Sequence, residues 1–226
     1  RSPHPKAGGR FAPSPSNPHP KAGGRFAPFP LTPHPGGLRH NAAMRLTDPE
    51  KALLDGAEGP AVAAAMDLLV RYGEALGAER LVETRNVCGT VAATMPFLRD
   101  YAQQHGMDAV FSEFSLDGAS VVPIPKVKAY SSQLQQGFDP KHAELQGIAP
   151  EVVKVYRQGE TYGAKIGVQP LNTCAPYLVG NVPVRGEHCA WMESSAVIYI
   201  NSVLGARTNA EGRESAGAAM LTSRIP

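Results

Sequence analysis

The sequence predicts an α/β fold after residue 43, on three observations. Capped helical segments alternate with short strand-like runs. One of those runs, DAVFSEFSL, alternates apolar and polar residues at period two. Start and stop signals bound the first helices: a Thr47–Glu50 capping box, a Gly59-Pro60 start and a stop at Gly77.

The elements follow in order. Thr47-Asp48-Pro49-Glu50 is a capping box, with Pro49 tolerated in the first turn, and a short helix should follow to about Asp55. Gly59-Pro60 then opens a longer amphipathic helix, PAVAAAMDLLVRYGEAL, which stops at Gly77. Residues 79–84 (ERLVET) read as a strand. Residues 90–104 read as helical with an interruption near Pro96, and 108–116 as a second strand. The run 121–128, with two prolines, is an extended connection or an edge strand. Pro150 starts a helix over 150–165. Residues 196–203 (AVIYINSV) are apolar enough to be buried as helix or strand, and 213–223 are helical again. That last helix has an apolar face in need of a partner just before the sequence stops at Ser223-Arg224-Ile225-Pro226, so the sequence reads as a domain incomplete at its C-terminus.

Residues 1–43 differ in kind. PHPKAGGRFAP occurs at 3–13 and again at 18–28, and PHPGG begins a degenerate third copy at 33, so the spacing is 15 residues. Ten of the 21 prolines fall here, without hydrophobic period. Such a segment cannot bury enough apolar surface to offset its conformational entropy and should be disordered. It could act as a basic arm for polyanions. The plainer reading is that translation begins at Met44 and the repeats are read-through of repetitive DNA.

The leader also distorts the charge. It holds six Lys or Arg and no acid; without it 16 basic residues face 20 acidic ones, a net charge of −4. The mildly acidic body gives no pointer to a nucleic-acid or membrane partner. An odd number of cysteines, three, does not make a disulfide framework. No apolar run reaches membrane-span length and no signal core is present, so the expectation is a soluble cytoplasmic protein.

Chemistry concentrates in residues 172–209. An isolated cysteine is more often a small buried hydrophobe than a ligand, and Cys88 and Cys189 read first as packing. No CxxC supports a zinc knuckle. A Cys–His nucleophile pair is poorly served, because His188 and Cys189 are adjacent and His105 and His142 lie near no signal. Cys174 differs: Asn172, Thr173, Pro176, Tyr177, Gly180 and Asn181 crowd around it, a density of polar and turn residues that marks a site on a loop. Glu193-Ser194-Ser195 follows Trp191, and GARTN at 205–209 presents Arg207 in a turn suited to clamping a carboxylate or phosphate. A satisfied loop or cap is the alternative for each.

The block NTCAPYLVGNVPVRGEHCAWMESSAVIYINSVLGARTN (172–209) resembles the signature region of the aconitase X catalytic domain, and MRLTDPEKALLDGAEGPAVAAAMDLLVRYGEALGAERLV (44–82) resembles that family's N-terminus. The resemblance runs in order from 44 to 226 and covers only the N-terminal portion of the catalytic region. It implies an aconitase-superfamily α/β/α domain and a hydro-lyase, such as a cis-3-hydroxy-L-proline or mevalonate 5-phosphate dehydratase. It implies an iron or iron–sulfur centre held partly by Cys174, a small hydroxy-acid substrate, and a swivelling small domain or subunit that closes over the site. Family members often carry a histidine-containing motif where this chain has Arg85-Asn86-Val87-Cys88-Gly89-Thr90, which makes Cys88 a candidate metal ligand. By the same analogy Arg207, Asn181 and Asn209 are candidates for binding substrate, and Glu193, Ser194 and Ser195 for catalysis or orientation. An iron ion acting as Lewis acid suits the departure of hydroxide, a poor leaving group. Taken alone the chain lacks the remaining ligands and should be inactive. A reading of another class is a non-enzymatic anion- or metal-binding module, or an inactive gene remnant with a basic arm.

Overall fold

In the computed structural model, the residues described are 44–90, 98–114, 121–133, 139 and 141–226. The repeat leader and its expected disorder lie outside them, as do the break near Pro96 and residues 115–116 of the second predicted strand.

The local signals at the start hold. Helix α1 spans Asp48–Leu54, and the Thr47 amide donates to Glu50 Oε2 at 2.8 Å. Helix α2, Pro60–Leu76, buries Ala61, Val62, Ala65, Met66 and Leu69 on one stripe and closes at Gly77, whose φ of 75° needs no Cβ. The predicted strand at 79–84 shrinks to β1, Val82–Glu83. Immediately after it comes β2, Asn86–Gly89, wholly buried and unforeseen.

Helix α3 is Leu98–His105. Next is α4, Met107–Ser112, where the sequence predicted a strand; only β3, Glu113–Phe114, is extended, and it pairs antiparallel with β4, Val122–Pro123. Tertiary partners override the short alternation. Val110 is buried, and Phe111 stacks on Tyr162 at 5.9 Å between ring centroids. Strand β5 is Tyr130–Gln133. Helix α5, Pro150–Ile166, ends at Gly167 in the left-handed region, followed by β6, Val168–Gln169, and β7, Cys189–Trp191. The ambiguous stretch 196–203 is helical: α6, Ser194–Tyr199, runs into a π-helical turn at Ile200–Leu204. Helix α7 is Arg213–Thr222, and β8, Arg224–Ile225, pairs antiparallel with β1.

Strands β6-β5-β2-β7, in that order, form one parallel sheet, which confirms the α/β fold. Along β2 and β7 side chains alternate between two cores, as the pleat requires. Val87 and Ala190 pack with Ala216, Ala219 and Met220 of α7. Cys88, Cys189 and Trp191 pack on the other side with Ala196 and Ile200 of the α6 region. Helices therefore cover both faces. Helix α7 is buried over Ser215–Thr222, because its far side, Ala218 and Leu221, joins the α1–α2 core. The partner that its sequence demanded is α2.

Gly89 ends β2 under α7. A Cβ there would lie 2.8 Å from Ala216 Cβ and 3.1 Å from Met192 Sδ, so only glycine lets helix and strand approach this closely. Arg224 Nε donates to Glu50 Oε1 at 2.9 Å, tying β8 to the first turn of α1. Among the described residues no helix is long and apolar enough to cross a membrane.

Candidate active site

In an open parallel sheet, ligands bind beyond the carboxyl ends of the strands. Here β2 brings Cys88 to that edge and β5 brings Ser132. The loop after β6 carries Cys174, and Glu193 follows β7 by two residues. Asn172 turns that loop at φ 51°, with its amide donating to Glu160 Oε1 of α5 at 2.8 Å and to the Pro170 carbonyl at 3.1 Å. The Ala175 amide donates to Thr173 Oγ1 at 3.1 Å. Tyr177 then stacks on Tyr199, centroids 4.0 Å apart, fastening the Cys174 loop to the helix that Glu193 precedes. The Met192 amide donates to the Cys88 carbonyl at 3.2 Å, holding the end of β7 to β2.

Cys88, Cys174 and Glu193 are thereby brought within electrostatic reach of one another. Burial raises the Cys174 thiol, and the charge and hydrogen bond of Glu193 raise it further. Burial pushes Cys88 up to about 11, against a hydrogen bond from Ser132 and with help from Cys174 and Glu193. Both are protonated thiols at neutral pH unless a cation replaces the protons. Ser195 Oγ donates to Glu193 Oε1 at 3.3 Å from the exposed first turn of α6, which it shares with Ser194. Cys189 is a different case. Burial and the Glu187 carboxylate push it up to about 12, and its thiol donates to the Glu187 carbonyl at 3.8 Å. It packs, as the sequence suggested.

Soft thiolates suit iron and iron–sulfur centres, so the donor chemistry of Cys88 and Cys174 fits such a group. The set is partial: among the described residues no three His, Cys, Asp or Glu side chains converge as a complete metal site.

Behind the thiols lies a buried polar relay that sequence reasoning missed. Trp191 Nε1 donates to Asn86 Oδ1 at 3.0 Å, Asn86 Nδ2 to Asn181 Oδ1 at 2.6 Å, and Asn181 Nδ2 to Ser132 Oγ at 2.8 Å. Asn181, expected to touch substrate, is thus 1% exposed with both ends of its amide engaged by protein. The only advance signal was the presence of asparagines in otherwise apolar runs.

Arg207 and Asn209 stand elsewhere. Residues 207–210 run parallel to β7, with His188 opposite Arg207 and Trp191 opposite Ala210. Arg207 is exposed at the amino end of β7, about 10 Å along the strand from its carboxyl end. The Asn209 amide donates to the Pro226 carbonyl at 3.3 Å. Two residues on, Glu211 is 4% exposed, and neither carboxylate oxygen makes a hydrogen bond among the described residues. Burial raises its pKa, while Ser215 and Asn209 lie near enough to hold it down in part.

A parallel α/β domain with paired thiols and a carboxylate at its carboxyl edge defines a class in which a soft metal centre or acid–base chemistry can be housed. Comparison with known proteins narrows it: this chain belongs to the aconitase X family, whose first-domain model matches residues 43–226. The phosphomevalonate dehydratase large subunit of Methanothermobacter thermautotrophicus is 37% identical over 180 residues, covering 78% of this chain and 41% of its own. The cis-3-hydroxy-L-proline dehydratase of Pseudomonas aeruginosa is 32% identical over 189 residues, covering 84% and 30%. The crystal structure of Thermococcus kodakaraensis aconitase X in its holo-form superposes with a TM-score of 0.60 at 31% identity, covering 81% of this chain and 42% of that one. The chain thus spans less than half the length of these relatives.

Proposed function

We propose that this chain supplies the thiol-bearing part of a hydro-lyase that removes water from a small hydroxy acid such as cis-3-hydroxy-L-proline. The observation that carries the reading is the meeting of Cys88, Cys174 and Glu193 at the carboxyl edge of the sheet, in a chain whose relatives are named dehydratases. Cys174 and Cys88 would hold an iron–sulfur cluster or iron, completed by ligands from outside the described residues. Such a centre supplies a Lewis acid for a departing hydroxyl.

The chain's own residues divide the remaining work. Glu193, hydrogen-bonded to the Cys174 thiol, takes up or returns a proton beside the ligand, and Ser195 fixes its rotamer. Ser194 offers a hydroxyl on the same turn. Arg207 and Asn209, at the amino end of β7 and away from the thiols, carry exposed polar groups that would reach a substrate carboxylate only through closure of a small swivelling domain or subunit. Asn181 acts from behind, through Ser132.

Anaerobic purification with iron and sulfide analysis, together with a water-loss assay on candidate hydroxy acids in the presence of the small domain, tests the reading. Bound iron and loss of turnover in Cys174→Ser are expected. Iron-free protein with unchanged turnover in Cys174→Ser would sink it.

A further inference from the structure

Half of the large hydrophobic residues exposed among those described fall within positions 178–203: Leu178, Val179, Val182, Val184, Ile198 and Val203, each at least 54% exposed. Scattered exposed aliphatics are ordinary, but a clustered set marks a surface that meets something other than water. These six are clustered. Tyr177 stacks on Tyr199, and further on the Gly186 amide donates to the Gly205 carbonyl at 2.8 Å. Residues 177–186 therefore run alongside α6 and its π-helical turn in the same direction. Along this first strip the usual pattern is inverted. Asn181 and Pro183 are buried, while Val182 and Val184 are exposed.

Both strips lack charge: residues 172–184 and 194–206 contain no Asp, Glu, Lys or Arg. Depletion of charge at the centre is the compositional mark of an interface. Charge returns at the two ends, with opposite signs. Glu193 precedes the first turn of α6. At the far end Arg185 packs against Gly205, and Arg207 follows two residues on. Glu187 is also there, but its carboxylate accepts from the Val184 amide at 2.8 Å.

We propose that this patch docks a second copy of the chain across a twofold axis through its middle. A twofold rotation lays each end of the patch on the opposite end of its mate, so the acidic end of each copy faces the basic end of the other. A patch that must match itself needs both signs at its rim, and this one has them. Eleven residues of the two strips are exposed, fewer than the roughly 20–30 a side of a standard stable interface. The dimer is therefore reversible and dissociates in the micromolar range.

Sedimentation of the complete, reduced chain from low to high micromolar concentration tests this, with amide exchange measured at both extremes. Monomer should give way to dimer, and amides in 178–184 and 194–204 should exchange more slowly in the concentrated sample. Val184→Lys and Ile198→Lys change exposed side chains, so the melting temperature of the dilute chain should hold while dimer affinity falls about 10-fold or more. Arg185→Glu should weaken the dimer by setting like charges together, and adding Glu193→Arg should restore it. A chain that stays monomeric, without added protection in either strip, overturns the second copy as occupant and leaves the patch to a different polypeptide. A dimer indifferent to both lysines, protected elsewhere, places the contact on another surface and overturns the proposal. Loss in both lysine variants without restoration by the charge exchange overturns the twofold arrangement.

Discussion

The two faces of the parallel sheet are built by opposite means. Toward α7 the contacts are small and aliphatic: Val87 and Ala190 meet Ala216, Ala219 and Met220, and the helix itself is buried all round. Toward α6 the sheet carries an indole, two thiols and a chain of amides and hydroxyls, buried just as deeply. The aliphatic face can be held by area alone, whereas the polar face is stable only while every donor finds its acceptor. The difference teaches where specificity sits. The first face fixes how closely the layers approach, and the second fixes where a sulfur points.

The aliphatic side should give the largest effect when broken. Met220→Ala removes a fully buried side chain from the α7 side of the sheet and should cost about 2–5 kcal/mol, read by denaturant unfolding. On the polar side, Asn181→Ala strands the Asn86 amide and the Ser132 hydroxyl and should cost about 1–3 kcal/mol. Asn181→Ala together with Asn86→Ala should cost less than the sum of the two, because they share one bond. Gly89→Ala tests the approach between the faces: its new methyl meets Ala216 and Met192, and about 1–3 kcal/mol should be lost.

Glu211 sharpens the comparison through pH. It is a buried acid without an ion pair among the described residues, near the hydroxyl groups of Tyr72 and Ser215. Its folded pKa is raised above 4.5, so folding is favoured by its neutral form. The penalty for ionising it is absent below the unfolded value, grows as pH rises through the folded pKa, and is complete above it. Glu211→Gln should therefore raise the melting temperature at alkaline pH, with the gain shrinking as pH falls toward the ordinary carboxyl range. A gain independent of pH would refute that cause. The smallest effect belongs to Arg207→Ala. The side chain is exposed, so stability should change by no more than about 0.5 kcal/mol. A loss of turnover in that variant would then report function alone.

Some of this was legible from residues near one another. The Thr47–Glu50 cap, the span of α2 between Gly59 and Gly77, the start of α5 at Pro150 and the polar setting of Cys174 all depend on neighbours within a few positions. Local chemistry determines them because the partner groups are the helix's own first and last turns.

The central strands were another matter. Strands β2 and β7 are four and three residues long, and a wholly buried strand shows no alternation to read. The predicted strand at 108–116 folds as α4 because Phe111 finds Tyr162, about fifty positions away. The relay joins residues 95, 105 and 49 positions apart, and no local rule links an asparagine at 86 to one at 181. The sequence by itself therefore determined α1, α2, α5 and α7 and singled out Cys174 as an unusual thiol. Only the tertiary structure decided that Cys88 stands at the same carboxyl edge as the Cys174 loop, because that placement depends on parallel strands meeting across most of the chain.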